Sequence, residues 1–419
     1  MTNVIIKLMK KKVSRWMMSL TTVVVAMFLT ATTARAQGNI SGSYVGKLDV
    51  GMAKLTIVLN IDADGKATME SPDQTDQKIP ADVDFLSADS VAVSIAALQA
   101  SYQARLVGDE LQGTFAQAGF KFPLNLKAGK LERRRTQTIE GPLPYPTEEV
   151  TFRNEQDDAT LAGTLSIPAG AEKVLVMVTG SGQQNRDEEL MGHKPFAVIA
   201  DYLARHGIAT LRYDDRATGQ SVGGNVANAT SEDFTRDAEA GIAFLRKDGR
   251  FKKVGVIGHS EGGLIAFMLG SKGVVDFIVS LAGPGVSGDT ILWKQIQISQ
   301  ATPAGEELSM EKVRETILAQ NNPWLNYFLN YDPSENIRHT TCPVLALNGT
   351  KDIQVDAEIN LSALRRLLPK NKKNSIKAYD GLNHLFQHCT TGMPDEYGNI
   401  EETFSEEVMK DMVEWLKKL

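Results

Sequence analysis

From about residue 150 onward, short unbroken apolar runs alternate with longer segments whose apolar positions recur every three or four residues. The runs at 173–179, 208–213, 253–257, 274–281 and 343–347 are built mainly from Val, Ile, Leu and Ala. Continuous apolarity over so few residues marks strands covered on both faces, as in parallel sheets. Between them, 193–205, 230–246 and 356–368 read as helices, the second strongly amphipathic. A hairpin (149–152 with 160–167) precedes this series and a β-like run at 375–379 follows it. The alternation predicts an α/β domain with a mostly parallel sheet and helices on both faces.

The region before residue 135 has a different rhythm. Strand patterns occur at 54–60, 90–95, 100–107, 111–115 and 124–126, with turn signals at Asp62-Ala63-Asp64-Gly65 and Gly108-Asp109-Glu110. No helical repeat of useful length interrupts them, so the expectation is a small all-β barrel or sandwich of about six to eight strands. Asp62, Asp64 and Asp73 lack the spacing and terminal Glu of a calcium loop. Gly141-Pro142-Leu143-Pro144-Tyr145-Pro146 reads as a linker, since its prolines disfavour helix and central strand. The resulting division is an N-terminal β domain at 37–135, a Pro-rich linker at 136–148 and an α/β domain at 149–419. Within the last, 286–338 is polar and helical and is expected to form a cap. Its aromatics, Trp293, Trp324, Tyr327, Phe328 and Tyr331, either line an acyl or leaving-group pocket or form the cap's own core.

Residues 1–36 look like a secretory signal: Lys7, Lys10, Lys11, Lys12 and Arg15, an apolar stretch at 16–29, then Ala34-Arg35-Ala36. The stretch is short against the roughly 20 residues a membrane span needs, so no stable membrane anchor is expected. Cleavage before Gln37 and export, to a bacterial periplasm, are the expectation. Cys342 and Cys389 are the 2 cysteines, enough for one disulfide or two free thiols and too few for a disulfide scaffold. With a net charge of −6 and one short basic run after the signal, Arg133-Arg134-Arg135, nothing points to nucleic acid. Oligomeric state is not readable from these features.

The candidate chemistry lies at the ends of the apolar strands. Gly258-His259-Ser260-Glu261-Gly262 follows the 253–257 strand and opens a helical segment, the strand–turn–helix context of a nucleophile elbow. A serine nucleophile needs a base and the base an orienting acid. Asp352 follows the 343–347 strand and His384 follows the 375–379 strand, so Ser260, Asp352 and His384 occur in the order Ser, acid, His, each in a loop after a strand. Asp356 is a backup acid, and Asp380 is too close to His384 in sequence to be preferred. The oxyanion would be held by the Glu261 amide and by an amide of Thr179-Gly180-Ser181-Gly182-Gln183, with Gln183 first and Gly182 second. Arg186, Asp187, Glu188 and Asp215 sit in loops on the same face, as loop-holding ion pairs or as polar contacts to a substrate. His259 is expected to pack or hydrogen-bond locally and His193 to lie near the oxyanion loop. His384 and His388 lack the adjoining Glu of a metal pair, and no glycine fingerprint for a dinucleotide is complete, so no metal or cofactor is expected.

Taken together, Thr179-Gly180-Ser181-Gly182, Arg186-Asp187, Tyr213-Asp214-Asp215-Arg216, Gly258-His259-Ser260-Glu261-Gly262-Gly263, Leu347-Asn348-Gly349-Thr350-Lys351-Asp352 and Asn383-His384-Leu385-Phe386-Gln387 resemble bacterial EstD-type carboxylesterases of the α/β-hydrolase superfamily. The resemblance runs from about Val150 to the C-terminus. It implies the α/β-hydrolase fold and hydrolysis of short-acyl esters, with Ser260, Asp352 and His384 as the triad. Small esters, acylated carbohydrates among them, would be the substrates, with Arg186, Asp187, Asp215, Trp293, Trp324 and Tyr327 as pocket candidates. Asp215-Arg216-Ala217 departs from the Lys-Arg-Gly type loop of many relatives. Two other readings stand beside it: a serine peptidase or aminopeptidase, with Asp187, Glu188 or Asp215 holding the substrate amine, and a catalytically silent binding protein.

Overall fold

The computed structural model describes residues 40–51, 54–62, 64–74, 78–131, 135–299 and 309–419, and the expected signal segment lies outside them. The first part is a closed barrel of β1 (Gly42–Asp49), β2 (Lys54–Ile61), β3 (Lys66–Glu70), β4 (Ile79–Leu86), β5 (Ser90–Ile95), β6 (Ala100–Val107), β7 (Glu110–Gln117) and β8 (Phe120–Ala128). Each strand pairs antiparallel with the next, and β8 returns to β1 through Tyr44↔Ala128 and Val45↔Lys127. Closure, rather than a sandwich, removes both sheet edges. Alternate residues fill the interior, among them Leu59, Val93, Tyr102, Leu111 and Leu124. The Tyr102 hydroxyl lies 3.1 Å from the carbonyls of both Leu111 and Leu124, which satisfies the one polar tip that this ring carries inward.

The proline-containing linker is fastened at both ends. The Arg135 guanidinium donates to the carbonyls of Met191, Gly398 and Ile400 at 2.7–2.9 Å. The Gln137 side chain accepts from the amides of Thr403 and Phe404 and donates to the Phe404 carbonyl. Tyr145 is buried and its hydroxyl donates to Asp201 at 2.8 Å.

The second part is a 9-stranded sheet. Its strands are β9 (Thr147–Asn154), β10 (Ala159–Ser166), β11 (Lys173–Val178), β12 (Ala209–Tyr213), the short β13 (Val222–Gly223), β14 (Lys253–His259), β15 (Ile278–Leu281), β16 (Val344–Gly349) and β17 (Ser375–Tyr379). The spatial order runs β9, β10, β12, β11, β14, β15, β16, β17, with β13 against the start of β10. β9 and β10 are antiparallel, and all pairs from β12 to β17 are parallel. The register sets Val178 beside Gly258, His259 beside Leu281 and Gly349 beside Tyr379, so the loops after β11, β14, β16 and β17 emerge along one edge.

Helices α1 (Pro195–Arg205), α2 (Ser231–Asp248) and α3 (Glu261–Ser271) follow β11, β13 and β14. The cap holds α4 (Gly288–Ser299), α5 (Met310–Leu318), α6 (Pro323–Asn330) and α7 (Ser334–His339). After it come α8 (Ala357–Leu367), α9 (Pro394–Tyr397) and α10 (Glu406–Lys417). One core joins α2, α3, α8 and the cap to the first face of the sheet, and α1 and α10 cover the other. α2 starts on a capping box in which the Thr230 amide donates to Asp233 at 2.8 Å, and Gly249 at φ 77° ends it. α1 begins at Pro195, two residues later than the apolar pattern suggests, because proline suits the first helical turn and His193 is held outside it by an isolated bridge with Leu190.

Candidate active site

β14 ends at His259 and α3 begins at Glu261, so Ser260 alone makes the turn, at φ 54° and ψ −116°. An L-residue held there is strained, and the surroundings must over-determine it. They do: a Cβ on Gly258 would lie 1.9 Å from the Gly262 carbonyl oxygen, and one on Gly262 would lie 2.1 Å from that of Val178. Only glycine lets the backbone pass itself at both points. The Ser260 amide is anchored on the Leu281 carbonyl at 2.8 Å.

His384 sits in the loop after β17. Its Nδ1 is 2.7 Å from Asp352 Oδ2, and Asp352 keeps its other oxygen on the amides of Gln354 (2.8 Å) and Val355 (2.9 Å). A carboxylate only accepts, so Nδ1 carries the proton and Nε2 is left as the basic nitrogen. The buried Asn383 shapes this loop by accepting from the amides of Leu385 and Gln387, both at 3.0 Å. Asp356 is instead the N-cap of α8, accepting from the Ile359 amide, and Asp380 is exposed and accepts from Thr350. His388 is exposed and pairs with Glu402.

His259 does more than pack. Its Nδ1 is 2.9 Å from Glu188 Oε1 and its Nε2 is 2.9 Å from the His384 carbonyl, with the two imidazole centroids 4.7 Å apart. Burial works against its charge, but Glu188 outweighs this and the imidazole is raised above the usual histidine range. Glu188 also accepts from the Gly180 amide at 2.8 Å. His193 lies elsewhere, between Thr403 and Tyr397.

The loop after β11 is pinned at two points. The Gly180 amide is on Glu188, and the Gln184 amide is on Asp215 at 2.8 Å, with Ser181, Gly182 and Gln183 between. Gly182 adopts φ 99°, a conformation that favours glycine. The amide of Glu261, at the first position of α3, belongs to the turn whose N–H groups have no helical acceptor. Both expected oxyanion segments therefore flank Ser260, and a Cβ on Gly180 would lie 3.3 Å from that of Ser260.

The pocket candidates divide. Arg186 is taken up by Asp214, Glu149 and Gln220, and Asp187 pairs with Arg212, so both tie loops together. Asp215 and Glu261 line a small cleft with Gly180, Gly182, Tyr213 and Phe234. Burial pushes both carboxyls up, Asp215 strongly. Glu261 Oε1 accepts from Ser231 Oγ (2.6 Å) and from the indole N–H of Trp324 (2.7 Å), which joins the cap to the residue after Ser260. Trp324 stacks on buried Phe328 and Tyr327 on Tyr331, so these rings serve the cap's packing while Trp324 also reaches the site. Trp293 packs half-buried against the sheet core. Cys342 and Cys389 are free thiols.

The strand order, the crossings and the strained serine turn are decisive for the architecture. The chain has the α/β-hydrolase fold. The family described as Serine aminopeptidase, S33, matches residues 193–334, a stretch that holds Ser260 and most of the cap but neither Asp352 nor His384. The chain is 28% identical over 311 residues to Esterase EstD of Thermotoga maritima, covering 68% of this chain and 73% of that protein. Among solved structures it is similar to the Pyrococcus furiosus esterase Pf2001, at 18% identity and a TM-score of 0.47, over 69% of this chain and 99% of that one. It is also similar to a Mycobacterium smegmatis proline iminopeptidase, at 13% identity and a TM-score of 0.45, over 65% and 98%. The chain is thus similar to EstD over 68% of its length, and an eight-stranded barrel precedes its α/β-hydrolase fold.

Local sequence names Glu188, Glu261 and Trp324 as site candidates but not what their side chains contact. His259, a partner of Glu188, lies 71 residues on, and the Ser231 and Trp324 partners of Glu261 lie 30 and 63 residues away. The histidine inside the serine pentapeptide was the one available signal.

Proposed function

We propose that the protein is a serine carboxylesterase acting on short-acyl esters through Ser260, His384 and Asp352. The observation that carries this reading is the 2.7 Å Asp352–His384 contact, in a loop beside a serine held in a strained, glycine-flanked turn. Ser260 Oγ attacks the ester carbonyl while His384 Nε2 takes its proton, and Asp352 stabilises the imidazolium. The Glu261 and Gln183 amides, with Gly182 beside the latter, hold the oxyanion. His384 then protonates the departing alcohol. Water, deprotonated by the same nitrogen, attacks the acyl-enzyme and releases the acid and Ser260.

The test is hydrolysis of p-nitrophenyl acetate, with labelling by a fluorophosphonate, in wild type and Ser260→Ala. Labelling and turnover lost together in the variant support the reading. Undiminished turnover in Ser260→Ala refutes it. Screening acetylated sugars and a series of acyl lengths would then define the alcohol and the acid.

The serine aminopeptidase match favours a second reading, amide hydrolysis next to a substrate amine. Glu188 and Asp187 pair with His259 and Arg212 away from the cleft, while Asp215 and Glu261 line it, each also accepting hydrogen bonds from neighbouring groups. Aminoacyl anilides turned over faster than acetate esters would decide for it. Export rests on residues 1–36, and sequencing the N-terminus of the secreted protein tests it, with Gln37 expected first.

A further inference from the structure

We infer that Glu188 and His259 form a positioning pair that holds the oxyanion loop and the base loop in register on Ser260. This rests on the esterase reading of the same site. One chain of contacts runs from the Gly180 amide to Glu188 Oε1 (2.8 Å), on to His259 Nδ1 (2.9 Å), and from His259 Nε2 to the His384 carbonyl (2.9 Å). A carbonyl only accepts, so Nε2 carries a proton, and Nδ1 faces a carboxylate. Both side chains are buried, at 3% and 6% exposure, against an apolar wall of Phe196, Ile199, Leu281, Leu385 and Phe404. A charge placed there without its partner is costly, and together the two are held tightly.

Three features separate this pair from ordinary packing. It touches all three catalytic segments: Gly180 opens the oxyanion loop, His259 precedes the nucleophile and His384 is the base. It contacts backbone rather than reacting atoms at both ends, so it acts on position and not on substrate. Glu188 is also kept at φ 53°, a left-handed conformation that a residue with a Cβ seldom adopts. The bonds its carboxylate makes supply a reason for that geometry.

The test uses the full chain with Glu188→Ala, His259→Ala, the double variant and Glu188→Gln, each checked for folding by near-ultraviolet circular dichroism. Each alanine variant should lower kcat and the fluorophosphonate labelling rate by about 10- to 100-fold, as expected for a misplaced catalytic group, with KM nearly unchanged. The double variant should be little worse than either single one, since the two act as a unit. Glu188→Gln should recover part of the rate, because its amide oxygen can stand where Oε1 accepts from both the Gly180 amide and the His259 Nδ1–H. A folded Glu188→Ala or His259→Ala with wild-type kcat and labelling overturns the proposal. So does a loss confined to KM, additive losses, or a Glu188→Gln as slow as Glu188→Ala. If Glu188→Ala does not fold, His259→Ala and Glu188→Gln decide by the same readouts. Absence of labelling in wild type would instead overturn the esterase reading; wild type and Glu188→Ala labelled alike would overturn the pair alone.

Discussion

The barrel and the α/β domain solve the problem of polar groups in opposite ways. In the barrel, strand alternation turns nearly every charged side chain outward, where pairs such as Arg105–Asp89 are mostly solvated. Asp73 is a buried exception, and it sits at the boundary, accepting from the Thr56 amide at 2.5 Å and from Asn399 of the other domain at 3.3 Å. The α/β domain buries Glu188, Asp215, Arg216, Asp237, His259, Glu261, Asp352 and His384. Charge is costly inside a protein unless paired and hydrogen-bonded, so a cluster of this kind at one sheet edge is a mark of chemistry or of tightly held loops. On the proposed reading it is both: Asp352–His384 would be the chemical pair, and Arg216–Asp237 is a fastener. Arg216, 1% exposed, reaches both Asp237 oxygens at 2.7 and 2.9 Å and Asp157 at 3.0 Å, fixing the loop that carries Asp214 and Asp215.

Substitutions can break or sharpen this contrast. The largest effect is expected from Ser260→Ala, which should reduce kcat by about 10⁴- to 10⁶-fold while leaving the thermal unfolding midpoint within a few degrees. A fold lost along with activity would contradict a purely chemical role. Next is Arg216→Ala, which strands buried carboxylates and should cost about 3–5 kcal/mol by urea unfolding. A barrel-type response, below about 0.5 kcal/mol, would mean the network is not a fastener. Tyr102→Phe in the barrel should cost about 1 kcal/mol and leave ester turnover untouched, which would show the barrel interior to be structural only. At the small end, Arg105→Ala should change stability by no more than about 0.5 kcal/mol, because its partner is exposed.

The contrast also has a pH signature. The 6 histidines all lie beyond the barrel. His259 faces Glu188, with Asp352 and His384 nearby, and holds its proton more tightly folded than unfolded. The sign follows: its stabilisation is complete below the unfolded value of about 6.5 and is lost as pH rises through the higher folded value. The wild-type unfolding midpoint should therefore fall between neutral and mildly alkaline pH, and Glu188→Gln should show a shallower fall. Equal slopes in the two proteins would remove the ion pair from the account.

How far the sequence could be read depended on the range of the interaction concerned. Strands at 173–179, 253–257 and 343–347 were legible because continuous apolarity and a strand's length are local properties, and the structure places β11, β14 and β16 there. The first barrel strand, β1, was not, because Gly42–Asp49 alternates only partly, with the burial pattern of an edge made interior by closure on β8. The cap aromatics stayed ambiguous for a related reason. The same helical spacing serves Phe328, which is core, and Trp324, which reaches Glu261.

The sequence by itself determined the local backbone: where strands alternate with helices, where proline and glycine stop them, and that Gly258 and Gly262 permit a sharp turn at Ser260. These depend on sterics between near neighbours, which a short window contains. Only the tertiary structure decided that the β domain closes into a barrel, that Asp352, the acid the strand order had put first, meets His384, and that Glu188 and His259 contact the loops on either side of Ser260. Those outcomes rest on distances between residues far apart in the chain, where a difference of an ångström separates a hydrogen bond from a solvated charge.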